Sequence, residues 1–156
     1  MTRARIPIAR DLMNRRLHTV AADAQIEQAV HSLLVSGHSG APVVDEAGVL
    51  VGVLSEYDCV TALSEAVAGQ WPLGRVSEHM TRDIETVSPT DDVFALSARF
   101  TGGRHRRLLV EDEGKLVGLI SRRDLLRALE ALEHETSQRP RKTTYETIEK
   151  RHIELD

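Results

Sequence analysis

At 156 residues, 41% hydrophobic but only 3% aromatic, the chain is long enough to bury one compact, largely aliphatic core. Its net charge of −4 argues against non-specific nucleic-acid binding, and no stretch approaches the roughly 18 apolar residues of a membrane span. Cys59 is the only cysteine, which excludes an intrachain disulfide and agrees with a reducing compartment. Its residue type and place early in a helix predict a small buried apolar role.

The sequence Met1-Thr2-Arg3-Ala4-Arg5-Ile6-Pro7 has no apolar stretch behind its arginines, so a non-secreted, cytoplasmic protein is expected. A short strand is predicted at Thr19-Val20. Ile26, Ala29, Val30, Leu33 and Leu34 then follow the spacing of an amphipathic helix, with Asp23 placed as its N-cap and Gly37 as its stop. Residues 41–44 and 49–54, joined by the turn Asp45-Glu46-Ala47-Gly48, read as a β-hairpin of nearly continuous apolar strands buried on both faces. Ser55 opens a second helix whose apolar positions are Val60, Leu63 and Val67. Gln70-Trp71-Pro72-Leu73-Gly74 is the linker that follows, with Trp71 expected to pack and pin it.

Beyond the linker the chain repeats itself. Asp11-Leu12-Met13 answers to Glu78-His79-Met80, Thr19-Val20 to Thr86-Val87, and His38 to His105, all at a spacing of 67; Gly52-to-Asp58 answers to Gly118-to-Asp124 at 66, so one residue is lost at a turn. Val93, Leu96 and Phe100 repeat the first helical stripe after Thr90, Gly102 matches Gly37, and Leu125, Leu129 and Leu132 repeat the second stripe. Each unit therefore reads β-α-β-β-α, an α/β (α+β) fold. The expected organisation is a first unit at 8–70, a linker at 71–74, a second unit at 75–134 and a polar tail at 135–156. Tyr145, Ile148, His152 and Leu155 could line one face of a short terminal helix there, marginal on its own. A unit present twice is not a solenoid; it predicts two copies packed together with paired sites.

In both copies a buried strand delivers Ser-x-x-Asp to the first turn of a helix. Taken singly, such a motif is a capping box, with the serine accepting from a first-turn N–H and the aspartate favouring the positive helix end. Two copies in register carry a second reading. Free N–H groups and a serine hydroxyl suit phosphate, and a carboxylate one turn away can accept from both hydroxyls of a ribose diol. The charges of the copies differ. Residues 8–70 hold three arginines against eight acids, whereas the second half bunches arginines at Arg104, Arg106, Arg107, Arg122 and Arg123. The run at 104–107 reads as a solvated charge run or as phosphate-binding surface, with DNA contact as a further alternative. His38 and His105 are expected to serve the helix-to-strand loop. The histidines show no metal-ligand spacing, and no nucleophile-elbow, P-loop or dinucleotide-binding motif occurs, so neither metal nor enzymatic activity is expected.

These residues resemble a tandem pair of CBS domains (named for cystathionine β-synthase), a Bateman module, over residues 8–134. The resemblance implies two units packed sheet to sheet with pseudo-twofold symmetry, and two clefts that take adenosine-containing ligands: AMP, ADP or ATP, with S-adenosylmethionine as an alternative. No cofactor is required. Carried over, Ser121 and Asp124, with Thr86, Val87, Arg107, Leu108, Arg122 and Arg123, would line the second cleft; Ser55 and Asp58, with Thr19, Val20, Gly40, Ala41 and Pro42, would line the first. The aspartates would hold ribose, the serines approach phosphate, and the backbones at 40–42 and 107–109 meet adenine. Leu109 replaces the expected proline, present as Pro42. Arg122 and Arg123 favour a phosphorylated ligand in the second cleft, and Glu56 would repel one from the first. The expectation is a stand-alone, homodimeric regulatory module that senses an adenine nucleotide and acts on a partner protein. The alternatives are a ligand-independent scaffold and, less favoured, a nucleic-acid-associated regulator.

Overall fold

The computed structural model describes residues 5–67, 69–103 and 105–137. Arg104 of the arginine run, and Tyr145, Ile148, His152 and Leu155 of the tail, lie outside the described residues. The elements run α1 (Ala9–Leu12), β1 (Val20–Ala21), α2 (Ile26–Ser36), β2 (Gly40–Val44), β3 (Leu50–Ser55), α3 (Glu56–Glu65), α4 (Val76–His79), β4 (Thr86–Val87), α5 (Val93–Gly102), β5 (Arg107–Asp112), β6 (Lys115–Ser121) and α6 (Arg122–Ser137). They build two three-stranded sheets, β1-β2-β3 and β4-β5-β6. In each, the short strand is parallel to the middle strand and the hairpin is antiparallel. Both hairpins bulge at the same repeat position, Val43/Val44 and Val110/Glu111.

The lost residue lies at the hairpin tip. Val44 pairs with Leu50 across five intervening residues, whereas Glu111 pairs with Leu116 across four. In the longer tip Asp45 Oδ1 accepts from the N–H groups of Ala47 and Val49, both at 2.9 Å. The shorter tip turns on Glu113 and Gly114, at φ 50° and 82°, the backbone that two-residue hairpin loops demand.

Backbone bridges between the units obey a twofold operation. Ile8 with Asp92 is mirrored by Arg75 with Gln25, and Asn14 with Leu119 by Thr81 with Val53, while Val49 with Lys115 is its own mate and sits on the pseudo-axis. The same operation relates the hydrogen bond from Ala9 N–H to Asp91 O (2.8 Å) to that from Val76 N–H to Ala24 O (2.9 Å).

Those bridges exist because the units exchange their leading segments. Ala9, with no exposure, is buried with Val87, Leu96, Phe100, Leu108, Val110 and Ile120, and Leu12 and Met13 pack on that cluster. Reciprocally, Val76 and Met80 complete the cluster of Val20, Ile26, Ala29, Leu33, Ala41, Val43 and Leu54. Sequence patterning did not anticipate this exchange, since four-residue helices leave no periodicity to read. It also explains why Asp23 does not cap α2. Ala22 and Ala24 are engaged by Val44 and α4, and Ile26 N–H donates to Gly74 O at 2.9 Å, so the helix starts beyond them with Gln25 at the cap.

Other expectations shift. β1 is Val20–Ala21, leaving Thr19 just before it and exposed. Gly37 holds the C-cap of α2 at φ 69°, but Gly102 is the last residue of α5 and Gly103 takes the cap. Strands β2 and β3 alternate buried and half-buried residues instead of burying both faces, whereas β5 buries Leu108, Leu109 and Val110 in succession. In α3 the inward face is set by Ala62 and Cys59, small residues that let the helix lie close to the sheet, so Val60 and Leu63 point outward, and Val67, beyond the helix end, is exposed as well. In α6, Leu125 and Ala128 turn inward and Leu129 outward, while on α2 Leu34 is exposed. Trp71 does not pack: it is 64% exposed. No helix among the described residues is long and apolar enough to cross a membrane.

Candidate functional site

Strand direction gathers the predicted residues at one end of each sheet. Gly40 pairs with Ser55, and Val20 with Val43, so the starts of β1 and β2 meet the end of β3 where α3 begins. The second sheet repeats this with Arg107 opposite Ser121 and Thr86 opposite Leu109. Val20, Ala41, Val87 and Leu108 are buried in the core and so present backbone, not side chain, to this end. Pro42 and Leu109 both lie within their strands, so the difference between them leaves the ladder intact.

Both Ser-x-x-Asp motifs are formed capping boxes. Ser55 N–H donates to Asp58 Oδ2 at 2.9 Å and Asp58 N–H to Ser55 Oγ at 3.1 Å. Ser121 N–H donates to Asp124 Oδ2 at 2.7 Å, its hydroxyl to the same oxygen at 2.9 Å, and Asp124 N–H back to Ser121 Oγ at 3.3 Å. Each serine and aspartate is half-buried, so the carboxylates are fixed by the first helical turn yet open on one side.

The remaining partners diverge. Thr81, from the exchanged segment, donates its hydroxyl to Asp58 Oδ1 at 3.3 Å. Asn14, its repeat mate, instead accepts from Arg16 N–H at 3.0 Å, and Asp124 Oδ1 pairs with Arg127 at 3.4 Å. Thr81 and Arg127 escaped the sequence reading, although superposing the repeats sets Thr81 against Asn14 and Arg127 against Thr61. Arg106, Arg107, Arg122 and Arg123 are all exposed around the second motif. Arg122 donates to His105 O at 3.2 Å, which ties the helix start to the loop before β5.

Behind each motif one triad of repeat positions clamps the short strand to the helix. In the first copy His18 Nε2 lies 2.9 Å from Ser32 Oγ, and its ring stacks on His38 at 5.1 Å between centroids. In the second, Glu85 pairs with Arg99 at 3.3 Å and with His105 at 2.9 Å, while Arg99 also donates to Thr86 O at 3.2 Å. His38 and His105 thus sit in the helix-to-strand loops and hold them. Cys59, one residue past Asp58, is half-buried, and burial together with the carboxylates of Asp58 and Glu56 raises its thiol pKa.

A cavity of ≈ 410 Å³ beside the linker, lined by residues that include Glu65, Trp71 and His79, shares no residue with either motif. Among the described residues no group of three or more His, Cys, Asp or Glu side chains could hold a metal ion.

Comparison with known proteins places this geometry. The chain is 27% identical over 120 residues to protein MJ1225 of Methanocaldococcus jannaschii, a match covering 77% of this chain and 42% of that one. It spans less than half the length of this and the next two curated relatives, 42%, 26% and 23%. Among solved structures, CBSX2 of Arabidopsis thaliana, crystallised in complex with AMP, superposes with a TM-score of 0.69 at 27% identity, over 81% of this chain and 98% of that one. The CBS domain pair of protein MJ0100, in complex with 5′-methylthioadenosine and S-adenosyl-L-methionine, shares the fold at 23% identity and a TM-score of 0.63, over 81% and 98% of the two chains. The CBS domain family matches twice, at residues 9–65 and 76–131, in register with the duplication, and the chain belongs to that family as a tandem pair.

Proposed function

We propose that this chain is a regulatory module that binds an adenosine-containing nucleotide in the clefts at Ser55–Asp58 and Ser121–Asp124. The observation that carries this reading is the pair of capping boxes in twofold-related positions, each holding a half-buried carboxylate beside a helix N-terminus and a strand start. Such a carboxylate can accept from a ribose diol, and a serine hydroxyl released from its capping contact can donate to a phosphate at the helix N-terminus. The complex of the similar CBSX2 with AMP supports the ligand class, and that of MJ0100 makes S-adenosylmethionine the alternative to AMP, ADP and ATP. Ligand binding acts by favouring one arrangement of the two units over another. The reciprocal exchange of α1 and α4 gives each cleft a route to the opposite unit.

The second cleft is the phosphorylated-ligand site in this reading. Arg107, Arg122 and Arg123 stand exposed around it, whereas Gly40, Glu56 and Tyr57 occupy those positions in the first. The exposed apolar side chains of α3 and α6, among them Tyr57, Val60, Leu63, Leu126 and Leu129, fit a homodimer formed through helices.

A thermal-shift panel of AMP, ADP, ATP and S-adenosylmethionine tests the proposal. A ligand at 100 times its dissociation constant adds about 2.7 kcal/mol of stability, and Asp124→Ala is expected to remove that gain for the phosphorylated ligands. No shift with any member of the panel overturns the sensor reading. Filling of the Asp58 cleft ahead of the Asp124 cleft in an ADP titration overturns the ranking.

A further inference from the structure

The two ribose carboxylates are not equally available. Among the described residues Asp58 Oδ1 receives only the Thr81 hydroxyl, at 3.3 Å, and no ion pair engages Asp58. Thr81 is neutral, and its hydroxyl can rotate to accept from a ligand as well as donate. Asp124 Oδ1, by contrast, faces the guanidinium of Arg127 one turn along α6, and Oδ2 already takes both the N–H and the hydroxyl of Ser121. A diol that approaches Asp124 must therefore share Oδ1 with a cation or displace it.

We infer that Arg127 is a specificity-determining residue that competes with ribose hydroxyls for Asp124, so that ligands offering a diol without phosphate are sorted to the Asp58 cleft. This rests on the nucleotide reading above and adds to it the residue that separates nucleosides from nucleotides. Displacement is inexpensive because Arg127 is 69% exposed and reaches Asp124 only at 3.4 Å, although the aspartate itself is 19% exposed. A pair with one partner this exposed alters an equilibrium by between about 1.5- and 5-fold. Nucleotides pay the same cost but recover it through Arg107, Arg122 and Arg123, whereas a nucleoside has nothing with which to recover it. Salt then acts with opposite signs: screening the Arg127 pair frees Asp124 for a neutral nucleoside but weakens phosphate binding.

The test is calorimetric titration of the full chain in an Asp58→Ala background, with adenosine, 2′,3′-dideoxyadenosine and AMP. Arg127→Gln is expected to tighten adenosine about 1.5- to 5-fold, to leave dideoxyadenosine unchanged, and to abolish the tightening of adenosine by salt, while Arg127→Lys stays near the parent. Unchanged or weaker adenosine binding in Arg127→Gln, with a parent that binds adenosine through Asp124, overturns the role of Arg127 alone. A parent that binds none of the three, or a further Asp124→Ala that binds all three unaltered, overturns the cleft reading and this inference together.

Discussion

Gly52→Ala is expected to destabilise the protein and to disturb only the first cleft. A Cβ built on Gly52 meets Met80 Sδ at 2.7 Å and the backbone oxygen of Thr81 at 2.8 Å, both closer than packed atoms come. The sulfur can swing away; the carbonyl cannot. It belongs to the segment bridged to β3, where Val53 N–H donates to Thr81 O and Thr81 N–H to Val53 O, both at 2.9 Å. Overpacking of this kind costs about 1–3 kcal/mol. With a urea slope of about 2 kcal/mol/M, the midpoint falls by roughly 0.5–1.5 M. Any shift of Thr81 also lengthens its 3.3 Å bond to Asp58. Urea denaturation supplies the stability, and a second variant locates the cause. Gly52→Ala/Met80→Ala removes the sulfur but leaves the carbonyl, so it is expected to be no more stable than Gly52→Ala alone, and it forfeits the apolar contact of Met80 as well. Gly52→Ala within about 0.5 kcal/mol of the parent, or a double variant restored to parental stability, would show that the exchanged backbone does not fix this approach.

Cys59 is expected to react with iodoacetamide more slowly than free cysteine at pH 8. Its raised pKa keeps the thiol protonated there, and the labelling rate should climb only as pH rises further; Glu56→Gln, which removes the smallest of its three causes, should accelerate labelling slightly, and labelling as fast as free cysteine would contradict the burial. Asp92→Ala removes the side chain that accepts from Phe94 and Ala95 N–H groups at 3.0 and 2.9 Å and should cost about 0.5–2 kcal/mol in denaturation. Leu63→Glu with Leu129→Glu, at positions 56% and 61% exposed, should leave the far-ultraviolet dichroism unchanged and convert a dimer into a monomer in sedimentation; a monomeric parent, or a double variant that still dimerises, counts against the helical interface.

The duplication was legible because it is written in residue types that tolerate little change of role. Ser-x-x-Asp, Gly-aliphatic-aliphatic and the hairpins recur in register, and each recurrence is a separate constraint on the backbone. What periodicity misjudged was which way α3 faces and, in α6, the direction of Leu129, whereas Leu125 does turn inward. Val60, Leu63 and Val67 are the larger apolar residues of their segment, so a pattern weighted by size turns them inward, whereas the helix approaches the sheet through Ala62 and Cys59 because small side chains permit it. The exchange of α1 and α4 lay beyond periodicity for another reason. Four residues make about one turn, too few to define a stripe, and the exchange shows itself in backbone pairing between positions far apart in sequence, such as Ile8 with Asp92.

That exchange has a consequence for how two diverged clefts can share one state. Thr81 reaches Asp58 from a segment bridged to β3, and the same segment begins at α4, where Val76 and the following Met80 fill the first unit's core. Its repeat mate carries Asn14 to Leu119 of β6 and seats Ala9 in the second unit's core. Each core is thus closed by a segment that belongs in sequence to the other unit, so neither unit can loosen without disturbing a segment that runs into its partner. A ligand that reorganises the Asp58–Thr81 contact pulls directly on α4. At Asp124 the corresponding pull falls on Arg127, within α6, and not on the Asn14 segment. The coupling between units is therefore built into the first cleft more directly than into the second. Thr81→Val should weaken communication between the clefts, read as the change in ligand affinity at one cleft on filling the other, while Asn14→Ala should not. Equal effects of the two substitutions would place the coupling in the shared sheet packing instead.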